Sequence, residues 1–188
     1  GKVRDVALTA LCSRNEAHIR EAAQRHGLQA AAFTDYGAML RSGQVDAILI
    51  CTPHAQHPEM TRQALEAGLH VLVEKPVGIF ADEVAEILPV LAERPELVCG
   101  VMYNRRAAQA YRHVKNLVQS GELGELVRCS WIITNLYRTE AYYTSGAWRG
   151  TWQGEGGGLL MTQASHQLDL MQWICGMPSS VSAHLKYG

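Results

Sequence analysis

The chain has 188 residues, 47% of them hydrophobic and 19% charged, with a formal net charge of -1 and an isoelectric point near 6.8. That is a globular composition, long enough for one large domain or two small ones, and its near-neutral balance carries no electrostatic footprint for nucleic acid or an anionic membrane. The longest apolar runs, such as "AILICT" at 47–52, are far too short to span a bilayer.

The first half alternates strand and helix signals. "VALTALC" (6–12) reads as a strand, and "NEAHIREAAQRHG" (15–27) as a helix opened by Asn15 and closed by Gly27. "AAF" (31–33) is a short strand and "YGAMLRSG" (36–43) a short helix. "VDAILICT" (45–52) is apolar almost throughout, which predicts a strand buried on both faces of a parallel sheet. "HPEMTRQALEAG" (57–68) predicts a helix, "HVLVEK" (70–75) a strand, and "ADEVAEILPVLAERP" (81–95) a helix kinked or broken by Pro89. "LVCGVMY" (97–103) is the next strand and "AAQAYRHVKNLVQSG" (107–121) the next helix. Strands alternating with helices predict right-handed βαβ units and a doubly wound parallel sheet, an α/β fold.

After Gly124 the pattern changes. "ELVRCSWIITNLYR" (125–138) reads as one long strand, followed by an aromatic, glycine-rich stretch, an amphipathic helix near 157–175, and "SVSAHLKY" (180–187) opening another strand. The expectation is a second, α+β domain with an open-faced sheet, of which this chain holds only the start. The first domain is assigned to residues 1–121 and the second to 122–188. The chain opens one step before a strand, so the natural N-terminus is expected upstream and targeting is not readable. Five cysteines, none in a CxxC pair, with Cys12, Cys51 and Cys99 in apolar runs, predict buried free thiols in a reducing, cytoplasmic setting.

Ligands of an open parallel sheet sit beyond the carboxyl ends of its strands. Two such ends are chemically loaded here: "CTPHAQH" (51–57) and "EKP" (74–76). Thr52 and Pro53 form a polar turn suited to a ligand's sugar or phosphates, and Lys75 would place a cation in the same crevice. Alone, E-K-P reads equally as a surface ion pair with a helix-stopping proline. After the strand at 6–12, in "CSRN" (12–15), no carboxylate appears until Glu16; Ser13 and Arg14 stand there instead. A carboxylate would repel a 2′-phosphate, whereas Arg14 can bind one through its guanidinium fork. Were a nicotinamide dinucleotide bound there, NADP would be favoured over NAD, with NAD left open by the alternative that Arg14 stacks on adenine or faces solvent.

Along "GGGLLMTQASHQLDLMQW" (156–173), Thr162, His166, Asp169 and Trp173 fall at i, i+4, i+7 and i+11, one helical stripe. Hydroxyl, imidazole, carboxylate and indole make a poor apolar face and a plausible site face, with Leu160, Ala164, Leu168, Met171 and Cys175 left to anchor the helix. H-x-x-D lacks third and fourth ligands at metal spacing, as does the pair His54 and His57, so no metal site is expected.

"CTP…H…H", "HVLVEKP", "GELGEL" (121–126) and "GGG-(x)7-H-x-x-D" in this order resemble the glucose–fructose oxidoreductase / inositol dehydrogenase / MocA (Gfo/Idh/MocA) family across essentially the whole chain. The resemblance implies a Rossmann domain binding NAD or NADP, then an α/β domain that carries substrate and mediates homodimer or homotetramer formation. It implies an NAD(P)-dependent oxidoreductase acting on a CH–OH group of a small-molecule substrate, a sugar, polyol or related cyclic compound. Dihydrodiol or other carbonyl chemistry, or a catalytically silent dinucleotide sensor, are the alternatives. The family's Gly-rich phosphate loop precedes the strand at 6–12 and is missing from this sequence. His166 matches the general base and Lys75 the lysine that orients the reacting hydroxyl. Thr52, Pro53, His54, His57 and Glu74 would border the cofactor, as would Asn104 and Arg105 of "YNRR", for which a structural role stands equally open. Asp169 is read as holding His166, capping a neighbour or touching substrate. In "YYTSGAWRGTW" (142–152), Trp148 and Arg149 are the preferred substrate contacts, against a packed lid without ligand contacts. Many relatives place Asp or Asn where Thr162 stands, which leaves the proton route open.

Overall fold

The computed structural model describes residues 3–134 and 137–184, which separate into two compact units, Gly1–Val101 and Met102–Gly188. The division falls earlier than the 121/122 boundary expected from the sequence, because the helix after the fifth strand packs within the second unit. No helix among the described residues is long and apolar enough to cross a membrane.

In the first unit the strands are β1 (Ala10–Cys12), β2 (Ala31–Phe33), β3 (Ala47–Ile50), β4 (His70–Val73) and β5 (Cys99–Val101). All pair in parallel, β1 with β2 in one sheet and β3-β4-β5 in another. This is the Rossmann-like parallel architecture, divided among the described residues into a two-stranded and a three-stranded sheet. The Thr9 hydroxyl donates to the Gln44 carbonyl at 2.8 Å, linking the segments that lead into β1 and β3.

The helices follow from local chemistry. In α1 (Glu16–His26) the Asn15 side chain accepts from the Ala17 N–H, and Gly27 closes the helix in the left-handed conformation at φ 61°. Next come α2 (Tyr36–Leu40), capped by Asp35 through the Ala38 N–H, and α3 (His57–Glu66), with Pro58 in its first turn. The predicted helix at 81–95 splits into α4 (Ala81–Ala85) and α5 (Ile87–Glu93). The break sits three residues before Pro89 because proline has no N–H for the carbonyl four residues back, that of Ala85, and its ring crowds that oxygen.

The core packs Met39, Ile48, Ile50, Ala64, Leu65, Val71, Val73 and Ile87. Ile48 and Ile50 are buried while Leu49 is 58% exposed and Leu72 39% exposed. The strand at 45–52 was expected to be buried on both faces; among the described residues β3 is buried on one, covered by α3 and α5.

The second unit contains α6 (Gln109–Gln119), α7 (Glu140–Thr144), α8 (Trp152–Glu155), α9 (Leu159–Thr162) and α10 (Ser165–Cys175), preceded by a 3₁₀ turn at Asn104–Ala107. The strand expected at 125–138 does not form among its described residues; Val127 is 94% exposed and Ile132 83% exposed. A strand needs a partner ladder, and no second strand stands beside this segment among the described residues. Of the strand expected from 180, residues 180–184 are irregular and the rest lie outside the described residues. The single helix expected near 157–175 is two, α9 and α10, interrupted at Gln163 and Ala164. Of its expected anchors Ala164 is buried, whereas Leu160, Leu168 and Cys175 are exposed, and Leu170, not expected, is buried.

Candidate functional site

In the first unit the expected cofactor residues do gather at the carboxyl ends of the parallel strands. Ser13 and Arg14 follow β1, Thr52 to His54 follow β3, and Glu74 and Lys75 follow β4. The Ser13 hydroxyl accepts from the Asn15 N–H at 3.2 Å, shaping the turn into α1, and Arg14 is exposed. The Thr52 hydroxyl donates to the Met60 sulfur at 3.4 Å. The Glu74 N–H extends the ladder to the Ile50 carbonyl at 2.9 Å, and a Glu74 carboxylate oxygen accepts from the Lys75 N–H at 3.2 Å. Burial first, then the Glu74 carboxylate, push the Cys51 thiol pKa up, which puts that carboxylate's charge beside the β3 exit. Lys75 is half-buried, Pro76 is buried, and the peptide between them is cis.

His57 departs from expectation. Rather than bordering a ligand it is 0% exposed, and both ring nitrogens face main-chain carbonyls. Nδ1 lies 2.7 Å from the Pro76 oxygen and Nε2 2.7 Å from the Thr52 oxygen. His54, in the 3₁₀ turn His54–Gln56 that leads into α3, is half-buried with its ring 5.8 Å from that of His57.

In the second unit, His166, Asp169 and Trp173 share one face of α10, but that face packs against residues 103–115. Arg106 clasps Asp169, donating from Nε to Oδ2 at 2.8 Å and from Nη2 to Oδ1 at 2.5 Å. Its guanidinium lies 5.9 Å from the Tyr103 ring and 5.5 Å from that of Trp173. Lys115 Nζ lies 4.2 Å over the Trp173 ring and donates to the Trp173 carbonyl at 3.2 Å. The Tyr103 ring stands edge-on to His166 at 6.1 Å.

The partner that the structure gives Asp169 is Arg106, which sequence did not single out. Asn104 and Arg105 are exposed, and it is their neighbour Arg106, not singled out from sequence, that turns inward. Tyr103 and Lys115 were also missed. The one local sign was a doublet of arginines beside a tyrosine, where a 3₁₀ turn sends successive side chains to different sides.

Thr162 belongs to α9, not α10, so the four-residue stripe is not one helix face; its hydroxyl donates to the Gly158 carbonyl at 3.3 Å. Trp148 and Arg149 form a closed stack. The Arg149 guanidinium lies 4.4 Å from the Tyr142 ring and 4.5 Å from the Trp148 ring, and it donates to the Tyr142 hydroxyl at 2.8 Å. The guanidinium thus takes one face of each ring. Buried Glu155 accepts from the Gly150 N–H at 2.9 Å and ties off the same loop.

Comparison with known proteins supplies the remaining context. Residues 2–103 match a family model described as an oxidoreductase family with an NAD-binding Rossmann fold, and residues 111–187 match the GFO/IDH/MocA C-terminal domain. The chain is 29% identical over 188 residues to D-glucoside 3-dehydrogenase of Escherichia coli, covering 96% of this chain and 50% of the relative. It is 30% identical over 141 residues to scyllo-inositol 2-dehydrogenase (NADP(+)) IolW of Bacillus subtilis, covering 75% of this chain and 38% of the relative. Among solved structures, the WlbA dehydrogenase of Bordetella pertussis in complex with NADH and UDP-GlcNAcA is similar with a TM-score of 0.77 and 28% identity, covering 90% of this chain and 51% of that one. The chain spans about half the length of the curated relatives it matches.

Proposed function

Because the chain belongs to the Gfo/Idh/MocA oxidoreductase family, we propose that it serves hydride transfer between NAD(P) and a CH–OH carbon of a sugar, polyol or related cyclic compound. The observation that carries the reading is the loading of three parallel strand exits with Ser13–Arg14, Thr52–Pro53–His54 and Glu74–Lys75, since this is where an open α/β sheet receives a dinucleotide. An exposed guanidinium, a hydroxyl and a half-buried ammonium fit such a ligand: Arg14 suits a 2′-phosphate, Thr52 a ribose or phosphate oxygen, and Lys75 the reacting end. NADP is the favoured cofactor on account of Arg14, and the relative named for NADP(+) fits that choice, while the neighbour solved with NADH keeps NAD in play.

When bound, the nicotinamide supplies the hydride acceptor or donor. The chain's own residues must move the accompanying proton and hold the substrate oxygen. An imidazole titrates near neutrality, so His166 is suited to take the proton from the alcohol. An ammonium favours negative charge developing on that oxygen, which is the part given to Lys75. Arg106, clasping Asp169 one helical turn from His166, would fix the stretch of α10 that carries this base. The relatives named for an inositol and a glucoside support a hydroxylated ring as the substrate class.

The test mixes the full chain with NADP or NAD and a panel of scyllo-inositol, myo-inositol and a methyl glucoside, following reduced nicotinamide by absorbance. His166→Ala and Lys75→Ala should each lower turnover by ~10²–10⁴-fold, the usual scale for a lost acid–base group, without changing the melting temperature. Full turnover in His166→Ala would move the base elsewhere. Tight dinucleotide binding with no turnover of any polyol would favour a catalytically silent sensor, the reading to which Thr162 lends support because no carboxylate or amide stands at that position.

A further inference from the structure

β3 and β4 run in register to Ile50 and Val73, and the last main-chain bond between them is Glu74 N–H to the Ile50 carbonyl. Beyond it the two chains part, one into the 3₁₀ turn and α3, the other into the segment that carries Lys75 and Pro76. His57 spans the parting. Its ring is fully buried, with a nitrogen 2.7 Å from the Thr52 oxygen on one side and 2.7 Å from the Pro76 oxygen on the other.

We propose that His57 is a positioning residue, a rigid spacer that fixes the Lys75 main chain at a set distance from the Thr52 turn. The inference rests on the reading of both strand exits as a dinucleotide site. The anchor is firm, since His57 opens α3, whose Thr61, Ala64 and Leu65 are each 0% exposed. A second contact holds the same segment: a Cβ on Gly78 would lie 2.7 Å from the Pro58 ring and 2.7 Å from Val84, so the chain after Pro76 already runs tight against the first turn of α3. An apolar side chain would fill the space but leave the carbonyl that takes the ring's N–H without its donor, since a neutral imidazole has one such hydrogen. Imidazole carries its nitrogens on opposite sides of a small rigid ring, so one side chain reaches both oxygens and donates to one of them. Pro76 is the residue after Lys75, so the position of its carbonyl constrains where the ammonium can go.

The test is dinucleotide affinity, read by nicotinamide fluorescence with NADPH and NADH, in the full chain and in His57→Leu, His57→Asn, His57→Gln, Lys75→Ala and the His57→Leu/Lys75→Ala double variant. All are measured below their melting transitions. Asn puts an amide N–H near the Nδ1 position, toward Pro76; Gln puts one near Nε2, toward Thr52. His57→Leu should weaken binding roughly tenfold or more, on the scale seen when a support for a contact residue is removed. His57→Asn should recover most of that loss and His57→Gln little. The double variant should bind no more weakly than Lys75→Ala alone, because the spacer has nothing left to position. Wild-type affinity in His57→Leu overturns the inference, as do equal affinities in the Asn and Gln variants, or losses that multiply in the double variant. Should His57→Leu not fold, the cycle runs through His57→Gln with the same criterion. Failure of the full-length protein, phosphate loop included, to bind either dinucleotide, or unchanged affinity in Lys75→Ala, overturns the functional reading itself and this inference with it.

Discussion

Arg106 and Asp169, 63 residues apart in the chain, meet fork to fork, with Nε to Oδ2 at 2.8 Å and Nη2 to Oδ1 at 2.5 Å. The Asp169 side chain is only 7% exposed while that of Arg106 is 38% exposed. Removing one member of a fully buried pair leaves an uncompensated charge and costs about 3–5 kcal/mol. Water still reaches the guanidinium, so the cost here is smaller, on the order of 2 kcal/mol. Asp169→Leu should therefore lower the melting temperature of the second unit clearly, whereas the Arg106→Leu/Asp169→Leu pair should recover part of the loss. A double variant as unstable as the sum of the two single effects would show the pair to be incidental.

The same pair leaves a mark on Tyr103. Burial pushes its phenol up first, the Asp169 carboxylate adds to the rise, and the Arg106 guanidinium opposes it. A raised folded value means the native state keeps its proton where the unfolded chain has lost one. The linked stability is thus fully present below the ordinary tyrosine range near pH 10 and is lost as pH climbs through the folded value. Asp169→Asn removes the carboxylate and leaves the guanidinium, so the titration of Tyr103 should move down. An alkaline absorbance titration, with Tyr103→Phe subtracted to isolate this phenol, measures it; an upward move in Asp169→Asn would contradict the assignment.

What could be read from sequence was what is encoded locally. Asn15 and Gly27 cap α1 with bonds to residues two to four positions away, and both ends of that helix could be read. Pro89 marked a break, although the chain parts at Glu86, because the steric conflict acts four residues back. Ladders and ion pairs between distant segments leave no such trace. The β-rich run at 125–138 carries the propensity of a strand, yet propensity does not supply a partner. Arg105 and Arg106 are indistinguishable as letters; which one turns inward depends on a helix 63 residues downstream. His57 could be read as a polar residue at a strand exit, but its role is set by two carbonyls whose convergence is a property of the folded chain.

Arg14 offers a test of cofactor choice that does not need the substrate. It is exposed at the β1 exit, with no carboxylate before Glu16. A charge-assisted bond to a 2′-phosphate is worth about 1.5–3 kcal/mol. Arg14→Asp should accordingly weaken NADPH by roughly tenfold or more and spare or improve NADH. Stronger NADH than NADPH binding in the unaltered chain would reverse the assignment.

Gly154 makes the loop around Arg149 testable by a single methyl group. A Cβ there would lie 2.2 Å from the Trp148 carbonyl oxygen and 2.8 Å from its carbonyl carbon, and main-chain atoms cannot swing aside as a side-chain tip can. Gly154 is also buried, with its N–H donating to the Thr151 hydroxyl at 3.0 Å, so the backbone is pinned on both sides of the clash. Overpacking of this kind costs about 1–3 kcal/mol. The displaced Trp148 would lose its stack on Arg149, the contact that holds the guanidinium between two rings. Gly154→Ala should then shift tryptophan fluorescence and lower stability together, while Gly158→Ala, where a Cβ meets nothing within 4 Å, should leave the fluorescence unchanged. Equal responses in the two variants would mean that the close approach at Trp148 does not hold this loop in its closed form.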